Sequence, residues 1–112
     1  MIDYHNKTFR PVLNAANGEV SGDTVFHYKQ VGNIVTADYS GGSIRLGHLV
    51  ALVDEEGCLD MRYHQVNLRG ELHTGICRSV PELLPDGRLR LHESWQWTSG
   101  DGSRGESVVE EE

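Results

Sequence analysis

The chain has 112 residues, a formal net charge of -7, 38% hydrophobic and 24% charged residues. That length fits one domain with one buried core, and the balance of apolar and charged residues excludes global disorder. The acidic charge argues against nucleic acid as a partner, because phosphates need clustered Lys and Arg, and no apolar run of about 18 residues marks a membrane span. The opening residues MIDYHNKTFR lack the apolar stretch of a secretory signal, so a cytoplasmic location is expected.

Thirteen glycines and three prolines punctuate the chain, and the segments between them are rich in Val, Ile, Leu, Thr, Tyr and Trp. In chain order the predicted strands cover 5–12, 24–31, 34–40, 43–53, 58–68, 71–83, 88–98 and 104–110. The string NAANGEVSGD at 14–23 is the one longer connection. Tight turns are predicted at Gly32-Asn33, Gly41-Gly42, Asp54 to Gly57, Arg69-Gly70, Pro85-Asp86-Gly87 and Gly100-Asp101-Gly102. No stretch carries a helical period capped at both ends. The prediction for 1–112 is therefore a single all-β domain, an antiparallel up-and-down meander of about eight strands.

Hairpin turns determine which residues face one another. The predicted turns set Tyr28 opposite Ala37, Ala37 opposite Leu46, His48 opposite Tyr63, Tyr63 opposite Ile76 and Ile76 opposite Trp97. Propagated along the chain, this register selects an apolar face with Phe26, Tyr28, Val35, Ala37, Tyr39, Ile44, Leu46, Val50, Leu52, Leu59, Met61, Tyr63, Ile76, Val80, Leu89, Leu91, Trp95 and Trp97. A long twisted sheet with one greasy face and no helix to cover it closes on itself. The expected result is a closed or half-closed barrel of the lipocalin or avidin kind, whose mouth can hold one ligand. The competing arrangement is an open sheet covered by a homodimer partner, with Leu49, Ala51, Val53 and Val66 on the outer side forming the contact. Cys58 and Cys77 are expected as free thiols, since this register holds them roughly 13 Å apart along neighbouring strands.

Polar residues on the apolar face point to a site, because a buried polar group needs a partner. They are His48, Gln65, Thr74, Arg78 and Glu93, with the hydroxyls of Tyr28, Tyr39 and Tyr63. The expected ligand-binding set is Arg78, Glu93, Tyr63, His48, Trp95 and Trp97, with Gln65 and Tyr39 behind them. Arg78 would pair diagonally with Glu93 and anchor an anionic group, while the indoles contact a flat or apolar part. The structural reading of the same residues is a rim ion pair, a His48–Tyr63 core hydrogen bond and plain core aromatics. No nucleophile elbow or phosphate-cradling loop is present. His27, His64, His73 and His92 point outward in this register, and no ligand spacing for a metal arises, so neither metal nor cofactor is expected.

The strings YSGGSIRLGHLVALVDEEGCLDMRYHQVN, GELHTGIC and RLHESWQWTSGDGSRGES resemble a family of small bacterial proteins of about this length commonly labelled "N-acetylglutamate synthase". The resemblance runs over nearly the whole chain. Its label implies acetyl-CoA chemistry, whereas acetyltransferases of that type carry a glycine-rich pyrophosphate loop between a strand and a helix. Here GGSIRLG lies in a hairpin and the strand after it, and the resemblance carries over no catalytic residue. The leading expectation is thus a small-molecule-binding barrel. The alternatives are a small barrel enzyme (an isomerase, a lyase or, as the label implies, an acetyltransferase) with His48, Tyr63 and Glu93 as acid–base groups, and a dimerising structural protein without ligand.

Overall fold

The computed structural model describes residues 2–112. Eight strands follow one another: β1 (Thr8–Leu13), β2 (Val25–Val31), β3 (Ile34–Gly41), β4 (Ile44–Val53), β5 (Leu59–Asn67), β6 (Leu72–Leu83), β7 (Leu89–Trp97) and β8 (Arg104–Glu111). Each pairs antiparallel with the next, and β1 closes the ring by pairing with β8, so the sheet is a closed barrel. Closure removes the unpaired edges that an open meander would expose. Among the described residues no helix is long and apolar enough to cross a membrane. Cys58 and Cys77 are free and buried.

The chain reverses at two ends. The base holds the turns after β2, β4 and β6, and the mouth holds those after β3, β5 and β7 together with the 14–24 connection. At the base, the Asp54 side chain shapes its turn by accepting from the backbone N–H of Glu56 and Cys58. Tyr4 folds beneath the strands, donates its hydroxyl to the Gly57 carbonyl at 2.5 Å, and packs with Phe9 and Tyr28. Aromatic rings therefore pack this end of the core.

The observed register corrects the predicted one on two strands. Ala37 faces Leu49, not Leu46, because the chain reverses at Gly42-Ser43 and β3 bulges between Tyr39 and Gly41. Gly41 sits at φ 117°, and a Cβ there would meet the Asp23 carbonyl oxygen at 2.0 Å; the close approach of the 21–24 segment thus requires glycine at the bulge. His48 then faces His64, Tyr63 faces Gly75, and Gly75 faces Trp97. The β5–β6 loop takes four residues, with the Asn67 side-chain oxygen accepting from the N–H of Arg69 and Glu71. Odd slips reverse the faces of a strand, and here they cancel in pairs. Strands β2, β3, β5 and β7 present the predicted faces, whereas β4 and β6 are turned over. Leu49, Ala51 and Val53 belong to the core, and Leu46, Val50, Leu52, Ile76 and Val80 lie outside.

Candidate functional site

Three of the rings around the mouth end of the barrel lie over a glycine across the ladder, and Trp97 also faces Gly75. Tyr39 faces Gly47, Tyr63 faces Gly75 and Trp95 faces Gly105. A Cβ on these glycines would fall 2.2, 2.2 and 2.3 Å from the facing ring. Without one, each ring lies back against the barrel wall instead of standing across the lumen, the arrangement in which an aromatic side chain covers a strand glycine. The axis is left open as a cavity of about 60 Å³, room for more than one water-sized group. Leu49, Met61, Cys77, Glu93 and Trp97 complete its walls with Phe26.

The 14–24 connection covers this cavity from the mouth, held by side chains from β5, β7 and the β3–β4 turn. Trp97 Nε1–H donates to the Asn17 carbonyl at 3.1 Å. Tyr39 O–H donates to Gln65 Oε1 at 2.8 Å, and Gln65 Nε2 donates onward to Glu19 Oε1 at 2.9 Å. Asn67 Nδ2 donates to the other Glu19 oxygen at 2.7 Å, and Ser43 donates its hydroxyl to the Glu19 carbonyl at 2.7 Å. Glu19 is therefore the fastener of the cover. Burial pushes the Tyr39 phenol well above its ordinary pKa, so it remains a donor at any physiological pH.

Deeper in, Glu93 lies between two cross-strand serines. Ser79 on β6 donates to its Oε2 at 3.0 Å and Ser107 on β8 donates to its Oε1 at 3.2 Å. Burial pushes the Glu93 carboxyl up to about 7, against the two serine hydrogen bonds that favour its charged form. Burial and the nearby Glu93 charge also raise the Cys77 thiol, which is therefore a poor nucleophile. Above the carboxyl, Trp95 and Trp97 meet edge to face at 5.6 Å, and Tyr63 meets Trp97 the same way at 5.8 Å.

Of the eight expected site residues, Glu93, Tyr63, Trp95, Trp97, Gln65 and Tyr39 line this one cavity. The other two do not. Arg78 sits opposite Ser94 on the outer wall, beside Arg62 and Arg104 in a surface groove, so it neither pairs with Glu93 nor anchors a ligand in the lumen. His48 also lies outside, its Nδ1 2.8 Å from Asp38 Oδ1, and Leu49 takes the place opposite Tyr63. Both corrections follow from the reversed faces of β4 and β6. The same reversal brings His73 to the mouth rim, 5.5 Å from the Trp97 ring and bonded to Ser99, and sends Thr74 outward to Thr98. Among the described residues no group of three or more His, Cys, Asp or Glu is placed to hold a metal.

The profile of the family described as avidin-like protein matches residues 2–112. The chain belongs to this avidin-like family. No curated protein and no solved structure matches it significantly. Sequence reasoning missed Glu19, Cys77 and Ser107, which line the cavity, and Ser79, which bonds Glu93. Cys77 and Ser79 were hidden by the β6 slip. Ser107 becomes visible once Glu93 is known to need a partner on each side. Glu19 carries no local signal, because its role depends on a long connection folding back over the mouth.

Proposed function

We propose that this avidin-like protein binds a small molecule in the barrel lumen, beneath the 14–24 connection. The observation that carries the reading is the cavity itself: aromatic walls laid back by facing glycines, a few convergent polar groups, and a fastened cover. Membership of the avidin-like family, whose barrels bind small ligands, supports it. Trp95 and Trp97 supply broad contact surface, and Glu93 with the Tyr63 hydroxyl supplies orientation. A screen of small compounds read by tryptophan emission and by melting temperature tests the reading. The expected result is a compound that binds once per chain, perturbs the indole emission and raises Tm. Binding that persists unchanged when Gly75→Val drives the Tyr63 ring into the lumen would place the ligand elsewhere and overturn it.

A second reading rests on a different surface. Leu46, Val50 and Leu52 on the outside of β4 are exposed, flanked by exposed Ile34 on β3 and, beyond Val66 on β5, by exposed Leu72 on β6. This strip replaces the predicted contact of Leu49, Ala51 and Val53, which is core. Self-association through it predicts a dimer in sedimentation that Val50→Lys weakens with the barrel intact. A monomer at high concentration contradicts this reading.

A further inference from the structure

The charges around the lumen point to the class of ligand, an inference that rests on the lumen being the binding site. Among the described residues, the ionisable acids and bases lining the cavity, apart from phenols and the Cys77 thiol, are Glu93 and Glu19, with no Lys, Arg or His. Glu19 is already committed to Gln65 and Asn67. Glu93 faces Ser79 and Cys77 on β6, Ser107 on β8, and the phenols of Tyr28, Tyr39 and Tyr63 across the lumen, with Tyr4 below. None of these groups brings a positive charge. Each serine can donate to the carboxyl, and two accepted hydrogen bonds favour its ionised form. A half-buried carboxylate without a cation is costly, and the Tyr63 and Trp95 rings, lying over Gly75 and Gly105, turn a π face to the lumen.

We infer that the lumen takes a small organic cation, an alkylammonium group seated on Glu93 and enclosed by the faces of Trp95, Trp97 and Tyr63. The cavity of about 60 Å³ suits a small ligand. Cation–π contact with the indoles and a charge-assisted hydrogen bond to the carboxylate act on the same ammonium. An anionic ligand would meet two acids and no base.

The test compares three probes of one shape on the full chain at physiological ionic strength: isobutylammonium, isobutanol and isobutyrate. Indole N–H resonances of Trp95 and Trp97 report occupancy. The expected result is saturable binding of isobutylammonium, with the alcohol and the carboxylate at least about tenfold weaker. In Glu93→Gln, which preserves size and hydrogen bonding, the preference for the cation is expected to disappear. Binding of the cation is also expected to strengthen as pH rises from about 6 to 8, and this rise is absent in Glu93→Gln. Isobutanol or isobutyrate binding as tightly as the ammonium overturns the cation inference and leaves the lumen a binding site. Indole resonances unmoved by any of the three, in a protein whose spectrum shows a folded barrel, overturn the cation inference, and failure of the wider compound screen as well overturns the lumen reading with it.

Discussion

At the base of the barrel Tyr4, Phe9 and Tyr28 lie with ring centroids 4.8 to 6.4 Å apart and are at most 1% exposed, while at the mouth Tyr39, Tyr63 and Trp95 surround empty space. Both ends are rich in aromatic side chains, so composition does not explain why one is solid and the other hollow. The cross-strand partners do. Phe9 faces Phe26 and Tyr28 faces Ala37, residues with a Cβ that keeps the ring standing into the lumen. Tyr39, Tyr63 and Trp95 face glycines and lie back. In a small barrel, whether an aromatic residue fills the lumen or lines it is decided by the residue across the ladder.

Breaking the solid end should have the largest effect. Phe9→Ala removes a ring at the centre of the base cluster and is expected to cost about 3–5 kcal/mol in chemical denaturation, while leaving the mouth geometry and ligand affinity of the surviving folded fraction unchanged. Glu93→Gln sharpens the contrast through pH. The folded carboxyl binds its proton up to about pH 7, whereas the unfolded one releases it near its ordinary value. Its contribution is therefore fully present below the unfolded pKa and is lost as pH rises through about 7, a loss of about 3 kcal/mol at most. Glu71, Glu82, Asp86 and Asp101 have lowered values and act in the opposite direction. They are common to both proteins, so the difference in stability between wild type and Glu93→Gln, measured from pH 4 to 8, isolates the Glu93 part: the variant gains relative to wild type as pH rises.

Gly75→Val turns part of the mouth into a copy of the base. The added carbons force the Tyr63 ring off the wall, with an expected cost of about 1–3 kcal/mol and loss of lumen binding, checked by denaturation and by the indole resonances. Arg78→Met should do least: the side chain lies on the outer wall, so stability should change by less than about 0.5 kcal/mol and ligand affinity not at all.

The strands and the closed meander were legible because alternation and turn residues are local signals, and Gly32-Asn33 alone placed β2 and β3 in their true register. The register of β4 was not, because the bulge at Gly41 answers to the 21–24 segment packed against it, a contact distant in sequence. On β6 the four-residue loop closed by the Asn67 side chain reads, from sequence, as the two-residue turn Arg69-Gly70. Both slips were disguised by strands apolar on both faces: Leu49 is 1% and Val50 45% exposed, and hydrophobicity alone does not rank them. Hence Glu93, Tyr63, Gln65, Tyr39 and both tryptophans were found on β3, β5 and β7, while Arg78 and His48, on the two reversed strands, were misplaced.

Side-chain carboxyl NMR of the glutamates, titrated in wild type and in Glu93→Gln, tests most directly whether Glu93 is the enclosed acid of the lumen. The account predicts one glutamate with a midpoint near 7, absent from the variant. A Glu93 that titrates with the surface glutamates in the ordinary carboxylate range would place it in solvent and contradict both the register and the site built on it.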